Sequence, residues 1–208
     1  MHIAEGVLDI PTLVASAGCT AVGITIGLRR LTPGTLPTAA LFAAVFFLIG
    51  TIHIPIGVGS VHLILNGLIG LLLGWLAFPV IFVALALQAL LFSFGGFTSL
   101  GANTLLMALP AVTAGLVLRP LLRRSPSSKR RLLAVGALAA TIGILGATLI
   151  AAAMLWSTGG DTLLGLITLV AAAQTPVWLI DVIVTALAVS MLGRARPTAF
   201  ISETQRDV

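Results

Sequence analysis

Residues 61–94 read VHLILNGLIGLLLGWLAFPVIFVALALQALLFSF, a run without a single Asp, Glu, Lys or Arg. A helix needs roughly 17–25 mostly apolar residues to cross the hydrocarbon core of a bilayer. This run is long enough for two such passes, divided at Pro79. The same texture extends along the chain: of 208 residues, 59% are hydrophobic and only 8% charged, and mean hydropathy is +1.18. Soluble domains carry about a quarter charged residues. Inside a bilayer the backbone must satisfy its own polar groups, which leaves helices or closed barrels. The sequence lacks the ~10-residue alternating strands of a barrel. The fold expected is therefore an all-α integral membrane protein with about seven transmembrane helices in one transmembrane domain over residues 1–208. The spans are placed roughly at Pro11–Leu28, Thr38–Ile54, Val61–Phe78, Val80–Phe94, Gly101–Leu118, Leu132–Trp156 and Leu163–Leu192. The third and fourth form either a tight hairpin or a partly re-entrant pair. The seventh contains Pro176 and is expected to kink there or to begin above the membrane.

Charge sets the orientation. Arg29 and Arg30 follow the first span. Arg119, Arg123, Arg124, Lys129, Arg130 and Arg131 lie in a Pro- and Ser-containing linker, 119–131. Arg194, Arg196 and Arg206 follow the seventh span, with a short tail at 197–208. These are all eleven basic residues, and seven spans put them on one side. The positive-inside rule makes that side cytoplasmic, with the N-terminus outside and the C-terminus inside a multi-pass protein of the cell (cytoplasmic) membrane. The net charge of +5 is thus explained by topology and contact with anionic lipid, not by nucleic acid. The single cysteine, Cys19, cannot form an internal disulfide. No basic residue precedes the first apolar run, so no cleavable signal is expected, and the bulk of His2 predicts that Met1 is retained.

The opposite side receives Met1, His2, Glu5, Asp9, all three histidines (His2, His53, His62), the Gly95–Asn103 turn and Asp161. A histidine at position 2 has specific chemistry. The Met1 amine, the His2 amide nitrogen and the His2 Nδ1 can close two fused chelate rings on one metal ion. A deprotonated amide favours planar four-nitrogen geometry, which suits Ni(II), Cu(II) or low-spin Co(II) better than tetrahedral Zn(II). Binding of this kind weakens on acidification. The fourth nitrogen comes from His62 or His53. Asn66, one turn past His62 on a helix, is placed to orient that imidazole. Glu5 is placed to do the same for His2 or to help cap the first helix.

Met-His-Ile-Ala-Glu-Gly at 1–6 resembles the start of the CbiM/NikM family, the substrate-capture components of energy-coupling-factor transporters for cobalt and nickel. The resemblance continues through Ile54–Gly57, Gly59–Leu63, Leu65–Leu68, Gly70–Gly74, Gln88–Phe92, Gly95–Thr98 and Leu100–Thr104. It covers most of residues 1–118 and, weakly, the last span. It implies metal ligation by Met1, His2 and His62, and a Gly95–Asn103 turn folded over the outer pocket, which makes Asn103 a further candidate. It implies Co²⁺ or Ni²⁺ as transported ligand, for cobalamin synthesis or a nickel enzyme, and no catalytic cofactor. It also implies partners: a transmembrane coupling subunit, a pair of cytoplasmic ATPases and, in some systems, a small additional membrane subunit. Two departures stand out. His53 falls where a non-ligand is expected. The family's His-x-Pro…Ile-Glu appears here as Gln174-Thr175-Pro176…Ile180-Asp181.

Gln88, Gln174 and Asp181 are costly inside apolar spans unless they face the bundle or a partner. Gln174 and Asp181 share a helix face, which fits an interhelical hydrogen bond or a contact that senses occupancy. The stripes Ala15, Cys19, Gly23, Gly27 and Gly136, Ala140, Gly143, Ala147 allow close helix approach. No G-x-x-x-x-G-K-[ST] phosphate loop is present, so ATP hydrolysis falls to partners and the chain is not expected to be an enzyme. Two other readings remain open at the level of sequence. A gradient-driven secondary transporter would use Asp181 as proton carrier but lacks paired acids and repeats. A membrane metalloenzyme would need an open metal position.

Overall fold

The computed structural model of the chain describes residues 2–56, 59–123 and 128–195, and within them side chains other than those of residues 53–61 and 123. Strand β1 (His2–Ile3) precedes helices α1 (Ile10–Leu28) and α2 (Leu36–Thr51); strands β2 (His53–Ile56) and β3 (Gly59–His62) follow. Then come α3 (Asn66–Leu73), a 3-10 turn at Gly74–Leu76, α4 (Ala77–Phe92), α5 (Leu100–Arg123), α6 (Lys129–Gly159) and α7 (Leu164–Ala195). Helix ends follow their sequence signals. Asp9 caps α1 by accepting from the Thr12 amide at 3.2 Å, with Pro11 in the first turn, where a missing N–H costs nothing. Ser128 caps α6 through the Arg131 amide.

Among the described residues four helical stretches are long and apolar enough to cross a membrane: Ile10–Leu28, Asn66–Phe92, Leu100–Leu122, and Lys129–Ala195, which holds α6 and α7. Helix α2 is apolar but shorter. Large apolar side chains such as Val14, Leu48, Leu149 and Met191 point outward, as lipid-facing residues of a multi-pass protein do.

The expected third span, Val61–Phe78, is not one helix. Its first residues belong to β3, the chain turns through Leu65 in the left-handed region (φ 51°), and α3 has only eight residues. At 1.5 Å per residue that is roughly 12 Å, too short to span. The break expected at Pro79 falls instead at Gly74 (φ 58°), and Pro79 sits in the first turn of α4. The second span also stops short of Ile54, because β2 begins at His53.

Ends of a short helix would be unsatisfied in lipid, so α3 is wrapped in protein. Nearly every residue of it is buried. Asp181 Oδ1 of α7 accepts the Leu65 amide at 3.1 Å. Arg119 Nε of α5 donates to the Leu71 carbonyl at 2.6 Å. Gly70 and Gly115 make the enclosure possible: a Cβ on Gly70 would overlap the Ala111 carbonyl, and one on Gly115 would overlap the Gly70 carbonyl. Arg119, read from sequence as a topology signal in a linker, is thus also a cap. Arg119–Arg123 continue α5 and Lys129–Arg131 open α6; Arg124 and the 197–208 tail lie outside the described residues.

Side-chain contacts sort the two ends of the bundle. Gly27 packs against Trp75 and Pro79, Gly74 against Arg119, and Gly193 against Leu132, which gathers the described Lys and Arg residues at one end. Asp9 meets Thr158 and Thr12 meets Ser157 at the other, where the three-stranded sheet lies.

Candidate metal centre

The sheet has strand order β1-β3-β2, all antiparallel. Its register pairs His2 with Ser60 and His53 with His62. His62 is two residues beyond Ser60, so it shares a face with His2 as a diagonal neighbour, within reach of long side chains. The rings do meet: the His2 and His62 centroids are 4.8 Å apart at 39°. Both residues are buried. Phe46 stands edge-on to His62 at 6.3 Å and Phe94 lies 6.5 Å from His2, closing the pocket with apolar rings. His62 Nδ1 donates to the Leu63 carbonyl at 2.8 Å, which directs Nε2 away from its own backbone.

The segment that carries His2 is held from three directions. Asn103 of α5 presents its side-chain amide as a substitute peptide: Oδ1 accepts from Ile3 N at 2.8 Å, and Nδ2 donates to Ile3 O at 3.0 Å. Gln88 of α4, fully buried, puts Oε1 2.9 Å from His2 Nε2. Glu5 Oε1 accepts from the Thr98 amide at 2.8 Å and from its hydroxyl at 3.1 Å. The Thr98 amide, and then its hydroxyl, hold the Glu5 carboxyl below its ordinary pKa.

The turn is shorter than the Gly95–Asn103 expected, because α5 begins at Leu100; its residues Gly95–Thr98 pack on this segment, and two glycines let them do so. Gly95 (φ 74°) and Gly96 (φ 92°) both lie in the left-handed region. A Cβ on Gly95 would come 2.9 Å from Asn103 Nδ2 and 3.3 Å from His2 Cδ2, and one on Gly96 would collide with the Glu5 side chain.

Several sequence-based placements change. Asn66 does not orient His62: α3 begins at Asn66, so no helix relates the two. Its buried amide donates instead to Met107 O at 3.2 Å and Gly143 O at 3.1 Å, tying α3 to α5 and α6. Glu5 serves neither His2 nor the α1 cap. Gln174 and Asp181 are buried on α7, and Asp181 reaches Leu65, three residues past His62. The Met1 amine and the His53 side chain lie outside the described residues, so only the backbone pairing of His53 with His62 is stated. Among the described residues no group of three or more His, Cys, Asp or Glu side chains is placed to hold a metal ion. The contact between Gln88 and His2 escaped sequence reading. An amide in an otherwise apolar α4 was its one visible signal.

The family model for "cobalt uptake substrate-specific transmembrane region" (CbiM) matches residues 2–199. A putative metal transport protein of Haemophilus influenzae is 48% identical over 197 residues, covering 95% of each chain. A cobalt transport protein CbiM of Sorangium cellulosum is 31% identical, covering 95% of this chain and 93% of its own length. The fused nickel transport protein NikMN of Rhodobacter capsulatus is 36% identical over 160 residues, which is 73% of this chain and 46% of that protein. A crystal structure of a transition metal transporter superposes with a TM-score of 0.75 at 25% identity, over 99% of this chain and all of that one.

Proposed function

The chain belongs to the CbiM family of cobalt-uptake transmembrane components, and from that premise we propose that it captures Co²⁺ or Ni²⁺ at the outer membrane face for an importer powered by partner ATPases. Capture is assigned to a plane of four nitrogens: the Met1 amine, the His2 amide, His2 Nδ1 and His62 Nε2. The observation that carries this reading is the buried His2–His62 pair at 4.8 Å. Metal–nitrogen bonds of about 2 Å put the ring centres of two adjacent imidazoles on one metal roughly 4–5 Å apart. The hydrogen bond from His62 Nδ1 to Leu63 O leaves Nε2 as the ligating nitrogen of that ring. With two side-chain donors in place, backbone nitrogen completes the set, and a deprotonated amide imposes a planar field that nickel(II) and low-spin cobalt(II) accept.

The His-bearing end faces outward and the basic end faces the cytoplasm, in the inner membrane, with both termini disposed as the charge distribution requires. The importer is of the energy-coupling-factor type. A transmembrane coupling subunit, two ATPases and in some assemblies a small membrane subunit supply the energy; this chain supplies capture and selectivity. Release inward follows when the N-terminal segment, held by Asn103, Gln88 and the Gly95–Thr98 turn, is displaced. The test is nickel titration of the purified protein with an unmodified N-terminus. His62→Ala is expected to abolish binding detectable by calorimetry while His53→Ala retains it. The reverse ranking would make His53 the fourth ligand, and retention in both would remove His62 from the site.

A further inference from the structure

We infer that Gln88 is a positioning residue for metal capture: it holds the His2 ring as the Nε2–H tautomer, so that Nδ1 keeps its lone pair for the ion. The inference rests on the chelate reading above.

The orientation of the Gln88 amide is settled by its surroundings. One end faces the carbonyls of Phe47 at 3.1 Å and Phe46 at 3.5 Å, near the end of α2. Carbonyls only accept, so that end is the NH₂ group. The other end is therefore Oε1, also an acceptor only, and it lies 2.9 Å from His2 Nε2. The proton of that hydrogen bond has to come from the ring. In a neutral imidazole the second nitrogen is then the unprotonated one. Of the two ring nitrogens only Nδ1 can close a six-membered chelate with the amide nitrogen of its own residue, so the tautomer Gln88 selects is the one the chelate needs. His62 is set in the complementary sense by Leu63 O, with Nε2 unprotonated. The Gln88 amide packs closely against α2, where even a methyl group at Gly50 would overlap Nε2. A neutral amide is the right acceptor here. It receives the ring N–H without adding a negative charge to a buried apolar pocket.

Two variants separate this role from mere anchoring of α2. Gln88→Glu, neutral at this buried site, keeps an acceptor toward His2 and offers α2 a single O–H in place of the NH₂ group. Gln88→Met fills similar space and loses both. Removing a group that orients a metal-ligating histidine costs about 10–100-fold in affinity. With Ni²⁺ as probe and the full chain in detergent, Gln88→Met is expected to bind about 10–100-fold more weakly, and Gln88→Glu close to wild type. Equal loss in both variants, or no loss in Gln88→Met, overturns the assignment. A second readout needs neither metal nor a variant: ¹⁵N spectra of histidine-labelled wild type are expected to show His2 as the Nε2–H form, and an Nδ1–H form overturns the inference. A wild type that binds no nickel would defeat the chelate reading instead, leaving the tautomer measurement to decide the role of Gln88.

Discussion

Asn103→Ala is the most informative single change, because Asn103 holds the His2-bearing segment through both backbone groups of Ile3 and also donates to Ser99 Oγ of the adjoining turn at 3.2 Å. The substitution deletes both bonds of the amide clasp, at 2.8 and 3.0 Å, and leaves the buried Ile3 N–H and C=O without them. Each buried backbone group deprived of its partner costs about 1–3 kcal/mol. The docked N-terminal segment is therefore destabilised by roughly 2–6 kcal/mol, against a helical core that is untouched. Apparent affinity falls by the fraction of molecules still docked, and every 1.4 kcal/mol is about tenfold. Part of the loss is absorbed by the docking energy the segment already has, so the expected rise in Kd for Ni²⁺ is about 10–100-fold. Asn103→Asp keeps the acceptor for Ile3 N–H and loses the donor to Ile3 O, so its rise is expected to be smaller, under about tenfold. Calorimetric titration gives the affinities, and far-ultraviolet circular dichroism confirms retained helix content. Affinity within about twofold of wild type in a folded Asn103→Ala protein would refute the reasoning, since a clasp worth this much cannot vanish without effect.

Three further outcomes are expected. Gly96→Ala places a methyl group against Glu5 at a φ of 92°, costs about 1–2 kcal/mol in backbone strain, and is expected to speed metal release, read by stopped-flow chelator competition. Asp181→Val leaves the buried Leu65 amide without an acceptor, so thermal stability is expected to drop by an amount corresponding to about 1–3 kcal/mol, whereas Asp181→Asn, which keeps an acceptor, stays near wild type. Glu5 has a pKa below its ordinary value because Thr98 bonds its charged form. Its contribution to holding the turn is therefore complete above the ordinary glutamate pKa and is lost as pH falls through the lowered one. Exchange of the Thr98 amide is expected to accelerate only in that acidic window.

The membrane class was legible because hydropathy reports span length directly. The start of α1 was legible from Pro11, although its cap is Asp9 and not the Glu5 expected, and the described basic residues do gather at one end of the bundle. The break inside residues 61–78 was not legible. The segment is apolar on both sides of Leu65, and the short helix it contains is created by the protein around it: Asp181 and Arg119 satisfy its ends, and Gly115 admits it. The small sheet escaped notice because strands of two to four residues are too short for periodicity to mark. That omission misplaced Asn66, whose relation to His62 assumed a continuous helix. That His2 would have a second histidine on its side of the membrane was legible because the charge distribution places all three there, but the residues alone left His53 and His62 open, and the ring contact of His2 with His62 is what the fold adds. Gln88, Asn103 and the Glu5–Thr98 latch are contacts between residues 86, 100 and 93 positions apart, and nothing in the sequence states which polar group meets which.

The central claim is that the metal is held by the chain's own first amine together with His2 and His62. Nickel affinity of the protein prepared with Met1 as its first residue, measured beside a form carrying one extra residue before Met1, tests it most directly. The extension moves the amine and turns the Met1 nitrogen into an amide while leaving every side chain in place. Loss of binding in the extended form is the expected result; unchanged affinity would contradict the four-nitrogen chelate.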